Sequence, residues 1–237
     1  MKHRPLPDLA KPLLDWYDRH ARNLPWRENP TPYRVWISEI MLQQTRVETV
    51  KPYYERFLAE LPDVASLAAA PEERLLKLWE GLGYYSRVRN LQKAAQMMMM
   101  KYGGDFPPTQ EELGELPGIG DYTAGAIGSI AFGRPTPAVD GNVLRVLARV
   151  SADRADIADP ATKKSAAEAL RTIFPARRCG DFTQSLMELG ATVCLPKGAP
   201  LCLLCPLAAL CEAHQLGIAA ELPVQAPRIA RKVEDRT

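Results

Sequence analysis

The 237 residues carry 30 lysines and arginines against 28 aspartates and glutamates, a formal net charge of +2, with 46% hydrophobic residues. That apolar content suffices for one substantial core or two smaller lobes and excludes a chain disordered in bulk. No apolar run approaches the ~20 residues of a membrane span, and residues 1–30 hold no signal-peptide core, so a cytoplasmic protein is expected; net charge alone offers no argument for nucleic acid.

Helical periodicity runs through residues 7–21, 33–44, 46–60 and 71–80. In the segment 84–102, Val88, Leu91, Ala95, Met98 and Tyr102 stand at helical intervals and form one apolar stripe. The run Met97–Met100 lies in this segment, where at least one of four successive side chains must face outward. Val139, Val143, Val146, Leu147 and Val150 repeat the pattern, and residues 160–174 and 181–193 follow it. No alternating strand is evident. The 21 prolines fall mostly between these segments, where they end one helix and begin the next. The reading is an all-α protein of roughly ten helices, with residues 223–237 as a tail or the start of a linker.

Charge becomes informative by position. The last 13 residues hold Arg228, Arg231, Lys232 and Arg236 against Glu234 and Asp235, so the rest balances at 26 against 26. Residues 81–104 contain Arg87, Arg89, Lys93 and Lys101 and no acid, whereas residues 105–121 contain five acids and no base. Such blocks are commonly solvated helix faces.

Two motifs carry chemistry. In Leu116-Pro117-Gly118-Ile119-Gly120, two glycines stand just before a helix of small residues that begins Asp121-Tyr122-Thr123. Glycine permits a sharp turn, and free N–H groups at a helix start suit a phosphate, so the pattern fits the hairpin of a helix–hairpin–helix element. The second motif is Cys194, Cys202, Cys205 and Cys211, a C-x7-C-x2-C-x5-C cluster, with Cys179 standing apart. Without a secretory signal, such density points to metal ligation, and spacing alone leaves zinc and iron–sulfur open.

With these motifs the chain resembles the adenine DNA glycosylases (MutY type) of the helix–hairpin–helix, iron–sulfur repair superfamily. The matching runs are Leu24-Pro25-Trp26-Arg27, Glu39 to Val47, Gly81 to Arg87, the hairpin, Asp140-Gly141-Asn142-Val143, Met187 to Ala191, and the cysteines. The likeness covers about residues 6–222. One departure is that the family usually has six residues between its first two cysteines. Here Leu195 to Leu201 makes seven, and the extra residue is expected to bulge outward.

Glu39 lies among Val35, Trp36, Ile37, Ile40 and Met41, so its carboxyl is expected to be desolvated and able to hold a proton near neutral pH. The resemblance implies that it protonates N7 of adenine. Asp140 precedes an apolar helix and reads as a plain N-cap by position. The resemblance instead makes it the carboxylate that stabilises the oxocarbenium-like sugar, electrostatically or covalently, with Asn142 positioning the pair. Where relatives that also cut the strand carry a lysine, this chain has Tyr122, which cannot form a Schiff base. That implies a monofunctional enzyme using water, although a core tyrosine is an equal reading of the residue itself.

Glu188 is implied to pair with the adenine amino edge, with Trp26, Arg27 and Gln184 completing the base pocket. Gln184 and Glu188 share a helix face, and a surface polar pair remains open for Gln184. Gln44 and Tyr84 match wedge residues that enter the base stack, Tyr84 being equally a candidate core aromatic. Leu42 and Thr45 are implied to meet the opposite-strand base. Arg87 and Arg89 are expected to face phosphates, and Gly118, Gly120 and Thr123 to anchor one.

The expected fold is two-lobed: residues 25–135 as a helical barrel with the hairpin, and residues 1–24 plus 136–222 as a second lobe with the cluster loop 194–211. The expected reaction is hydrolysis of the adenine N-glycosidic bond opposite 8-oxoguanine or guanine in double-stranded DNA. The protein is expected to act as a monomer and to carry a 4Fe-4S cluster. Rival readings are a mismatch thymine or uracil glycosylase and a non-catalytic, metal-stabilised DNA-binding module. Relatives normally continue into a C-terminal domain that recognises 8-oxoguanine, so a weaker preference for 8-oxoguanine over guanine is expected.

Overall fold

The computed structural model describes Leu6 and residues 8–226. The basic tail residues Arg228 to Arg236 therefore lie outside the described residues. Thirteen α-helical segments occur among the described residues, and no strand. They are α1 (Ala10–His20), α2 (Pro25–Glu28), α3 (Pro32–Leu42), α4 (Val47–Glu60), α5 (Val64–Ala69), α6 (Glu72–Trp79) and α7 (Ser86–Tyr102). After these come α8 (Gln110–Gly114), α9 (Asp121–Ala126), α10 (Gly141–Val150), α11 (Pro160–Arg171), α12 (Cys179–Thr192) and α13 (Glu212–Gln215). The π-helical turn Ile127–Ala131 extends α9.

Local chemistry sets the boundaries. Proline occupies the first turn of α2, α3 and α11, where its missing N–H costs nothing. Asp63 with Ser66 and Thr109 with Glu112 form reciprocal capping boxes on α5 and α8. The short α2, α5 and α8 escape a periodicity reading because four to six residues hold less than two turns. α3 stops at Leu42, two residues before the expected end, because Gln44 adopts φ 59° and turns the chain out of the helix. In the methionine run of α7, Met98 is fully buried and Met100 is 80% exposed.

Apolar side chains collect in two main clusters. One gathers residues from Leu24 to Ile127, with Trp36, Phe57, Trp79 and Met98 fully or almost fully buried. The other joins Leu9, Leu13, Trp16 and Tyr17 of the N-terminal segment to residues of α10, α11 and α12. The chain thus forms two helical lobes. α12 packs on both α1 and α10, and Gly190 makes the second contact possible: a Cβ there would lie 2.6 Å from the Asn142 Cβ.

Arg87 overturns the expectation of a phosphate-contacting side chain. It is 9% exposed, and its guanidinium donates to five backbone carbonyls. Nη1 bonds Ile40 (2.9 Å), Met41 (3.1 Å) and Gln43 (2.7 Å), and Nη2 bonds Leu82 (2.9 Å) and Gly83 (3.1 Å). It satisfies the orphan carbonyls at the C-terminus of α3 and clamps them to the turn before α7. Burial pushes its pKa down. Arg89 is no free cation either, since its Nε bonds Glu72 at 2.8 Å. Arg87→Lys keeps the charge but cannot reach five acceptors. It is expected to lower the unfolding free energy in a denaturant titration by about 2 kcal/mol or more. The salt dependence of DNA binding by the folded fraction should stay unchanged, whereas truncating a true phosphate contact would reduce the slope by about 0.9 per contact.

Candidate active site

The two lobes meet at a cavity of about 530 Å³. It brings together Glu39, Tyr122, Asp140, Asn142, Trp26, Arg27, Gln184, Glu188, Leu42, Gln44 and Thr45. Glu39 projects from α3, a helix buried nearly all round, and is 7% exposed. Burial raises its pKa to about 7, with Asp140 adding to the rise; the Tyr122 hydrogen bond and the Arg27 charge oppose it. The Tyr122 hydroxyl donates to Glu39 Oε2 at 2.6 Å, and its own pKa is driven well above 10 by burial and by Glu39. The tyrosine is therefore neutral and serves as a fixed donor.

Asp140 caps α10 and faces the cavity, so the two readings of this residue are compatible. One oxygen accepts from the Val143 N–H at 2.8 Å, and the other accepts from Asn142 Nδ2 at 2.7 Å. Asn142 Oδ1 in turn accepts from Arg145 Nη2 at 2.8 Å, which fixes its amide orientation. Arg145 also bonds the carbonyls of Gly190 and Cys194, both at 2.8 Å. One turn later, Arg149 donates to Cys194 Sγ at 3.1 Å and to the Leu195 carbonyl at 2.9 Å. α10 thus spans the distance from Asp140 to the cysteine loop.

Glu188 is fully buried, and both of its oxygens are engaged. Oε1 accepts from Arg22 Nε (2.6 Å) and the Arg22 N–H (3.2 Å); Oε2 accepts from Arg22 Nη2 (2.9 Å) and Arg27 Nη2 (2.8 Å). Burial would raise the pKa of its carboxyl, but the two arginines outweigh it and hold it below the usual range. An amino group meeting Glu188 must therefore share an oxygen with an arginine. Arg27 also lies over the Tyr17 ring, and Trp26 packs edge-on against Tyr54.

Other expected contacts lie outside the cavity lining. Gly118 and Gly120 are exposed at the hairpin, on either side of the buried Ile119, with Leu116 as a second buried anchor. Gly118 sits at φ 80°, and a Cβ there would approach Asn90 Cβ to 2.9 Å, so only glycine fits. The Thr123 side chain is 2% exposed, which corrects its expected phosphate contact: only its backbone N–H in the first turn of α9 could serve. Tyr84 is 63% exposed at φ 48°, a surface aromatic and not a core one. With Gln44 it makes two of the four non-glycine residues in the left-handed region among the described residues, a strain typical of functional positions.

The four clustered cysteines, Cys194, Cys202, Cys205 and Cys211, line one apolar chamber with residues of α10 and α12. Among the described residues, no three His, Cys, Asp or Glu side chains converge on a position for one metal ion. Four thiols around one chamber, with a guanidinium against one sulfur, have the chemistry to hold a thiolate-ligated metal group. Residues 196–199 of the longer Cys194–Cys202 loop are exposed.

A family model described as HhH-GPD superfamily base excision DNA repair protein matches residues 37–175, more than half of the chain. The chain belongs to the HhH-GPD superfamily. This HhH-GPD chain is 48% identical over 212 residues to an adenine DNA glycosylase of Rattus norvegicus, a match covering 86% of the chain and 41% of the rat protein. It spans about two fifths of the length of the mammalian relatives it matches. Among solved structures, a thermostable thymine-DNA glycosylase superposes with a TM-score of 0.79 at 28% identity, covering 87% of this chain and 95% of the other. A non-covalent endonuclease III–DNA complex matches with a TM-score of 0.72 at 27% identity, covering 88% and 94%.

Arg22, Arg145 and Arg149 of this HhH-GPD site belong to none of the motifs read from the sequence, and Met187 lies in a matched run with no role read for it. A signal existed for Arg145 and Arg149: both fall inside an otherwise apolar helix, where a cation must find buried acceptors. Nothing local marks Arg22, whose partner lies 166 residues away. The buried acid also makes stability depend on pH. Between about pH 4.5 and 7 the unfolded chain has released the Glu39 proton while the folded chain retains it, so stability falls as pH rises through this window. Glu39→Gln removes that dependence. In paired denaturant titrations its stability relative to the unsubstituted protein should improve by about 3 kcal/mol from pH 4.5 to pH 8.

Proposed function

We propose that this protein excises adenine mispaired with 8-oxoguanine or guanine in double-stranded DNA. The observation that carries this reading is the buried Glu39 carboxyl, with a pKa near 7, hydrogen-bonded to Tyr122 and sharing a cavity with Asp140. The identity with adenine DNA glycosylases supports adenine as the base.

Adenine is flipped from the stack at a cost of a few kcal/mol, offset in part by Gln44 and Tyr84 entering the gap. Leu42 and Thr45 meet the opposite-strand base. The Gly118–Gly120 hairpin holds a phosphate through backbone donors, which explains why no basic composition is needed. Trp26, Arg27, Gln184 and Glu188 enclose the extruded base. Protonated Glu39 delivers its proton to N7, which turns the base into a better leaving group. Asp140, held by Asn142 and the start of α10, supplies negative charge to the sugar as positive charge develops, a division of labour shared with glycoside hydrolysis. Water completes the reaction. Tyr122 offers no amine, so no Schiff base forms and the strand is not cut.

Cys194, Cys202, Cys205 and Cys211 would hold a 4Fe-4S cluster whose contribution is to order the loop. The protein acts as a monomer. No helix among the described residues is long and apolar enough to cross a membrane.

A mismatch thymine glycosylase is the second reading, favoured by the solved structure of that activity. Single-turnover assays on duplexes with one A·8-oxoguanine, A·G or T·G pair separate the two. Adenine release without thymine release is expected, and the reverse refutes the proposal. Glu39→Gln should slow release by about 10²-fold or more. The unsubstituted rate should fall as pH rises through about 7, as the acid loses its proton.

A further inference from the structure

Met187 stands on α12, on the face that also brings Gln184, Glu188 and Ala191 to the cavity. Its sulfur lies 3.8 Å from the Tyr122 hydroxyl, the same group that donates to Glu39 at 2.6 Å. Tyr122 is thus held between a carboxylate oxygen from one lobe and a thioether sulfur from the other. A thioether is a weak acceptor, so the phenolic proton is directed to Glu39. Met187 is half-buried and lines the cavity, whereas Met41 and Met98 are fully buried.

We propose that Met187 is an oxidation site that retunes the catalytic acid: a hydroperoxide converts its thioether to the sulfoxide, whose oxygen competes with Glu39 for the Tyr122 hydrogen bond. The inference rests on the acid role proposed for Glu39. In the step, an S–O bond forms and the peroxide O–O bond breaks. Sulfur loses two electrons, the peroxide gains them, and water leaves when the oxidant is hydrogen peroxide. The product is polar and a strong acceptor placed beside a neutral phenol, in a cavity with room for one added oxygen.

The consequence follows from the groups facing Glu39: Tyr122 from α9, Asp140 from the cap of α10, and Arg27 from α2. Burial and Asp140 favour the protonated acid, whereas the Tyr122 hydrogen bond and Arg27 favour the carboxylate. Drawing Tyr122 away removes one of the two restraints, so Glu39 keeps its proton to higher pH.

The test treats the metal-replete protein with graded hydrogen peroxide and maps sulfoxide at each methionine by peptide mass. It then records the pH profile of single-turnover adenine release. Exposed Met100 should oxidise first and leave the profile unmoved. Oxidation of Met187 should move the alkaline limb up by about one pH unit. Tyr122→Phe should show the same displacement untreated. Treated Met187→Leu should keep the profile of its own untreated sample. Met187→Gln carries an oxygen acceptor from the start and should be displaced without oxidant, which keeps the test available if the leucine variant folds poorly. An unmoved limb with Met187 fully oxidised would overturn the proposal, as would an equal shift in treated Met187→Leu. The carboxyl stretching band of Glu39, assigned by difference from Glu39→Gln, reports the same titration without base release. Absence of adenine release would therefore count against the proposed activity and leave this test intact.

Discussion

A carboxyl group withdrawn from water needs a counter-charge, hydrogen-bond donors or a proton, and among the described residues Glu39 has no basic partner within hydrogen-bonding reach. It is placed on a helix buried almost all round, and its bonded partner is a neutral phenol. The proton is the cheaper solution. Much of the surrounding architecture keeps that arrangement in place. Arg87 ties down the carbonyls where α3 ends, so the helix carrying Glu39 stops at a defined point and the chain turns through Gln44 into the cavity wall. The hairpin and α9 bring Tyr122 to the carboxyl from a different part of the same lobe.

The second carboxylate is handled in the opposite way. Asp140 accepts one hydrogen bond from a backbone N–H and one from a side-chain amide. The contrast places one acid that holds a proton and one that accepts two hydrogen bonds within a single cavity. Such a separation of roles by environment is the same physical device that lets paired carboxylates act on a glycosidic bond. Glu188 adds a third solution, an anion buried among two guanidinium groups, which makes it a rigid part of the cavity wall.

Much of this was legible in the sequence where the cause is local. The apolar stripe of residues 84–102, the prolines at helix starts and the neighbours of Glu39 all act within a few residues. Long-range partners were not legible. Arg87 sits in a basic stretch and reads as a solvated cation, yet it turns inward because five carbonyls at a helix end and a turn converge on it. Thr123 follows the hairpin in sequence, but the first turn of α9 rotates its side chain into the core. Asp140 shows the reverse case: cap and cavity residue are both correct descriptions, because the start of α10 lies at the junction of the lobes.

The cysteine loop meets the site through α10. Arg145 and Arg149 span from Asn142 to Cys194, so any distortion of the loop reaches the amide that orients Asp140. The protonation of Glu39, on which the rest depends, can be measured without substrate. In protein labelled with ¹³C at the glutamate carboxyl carbons, the resonance absent from Glu39→Gln should titrate with a midpoint near pH 7. A midpoint near 4.5 would show an ordinary, solvated carboxylate and contradict the account.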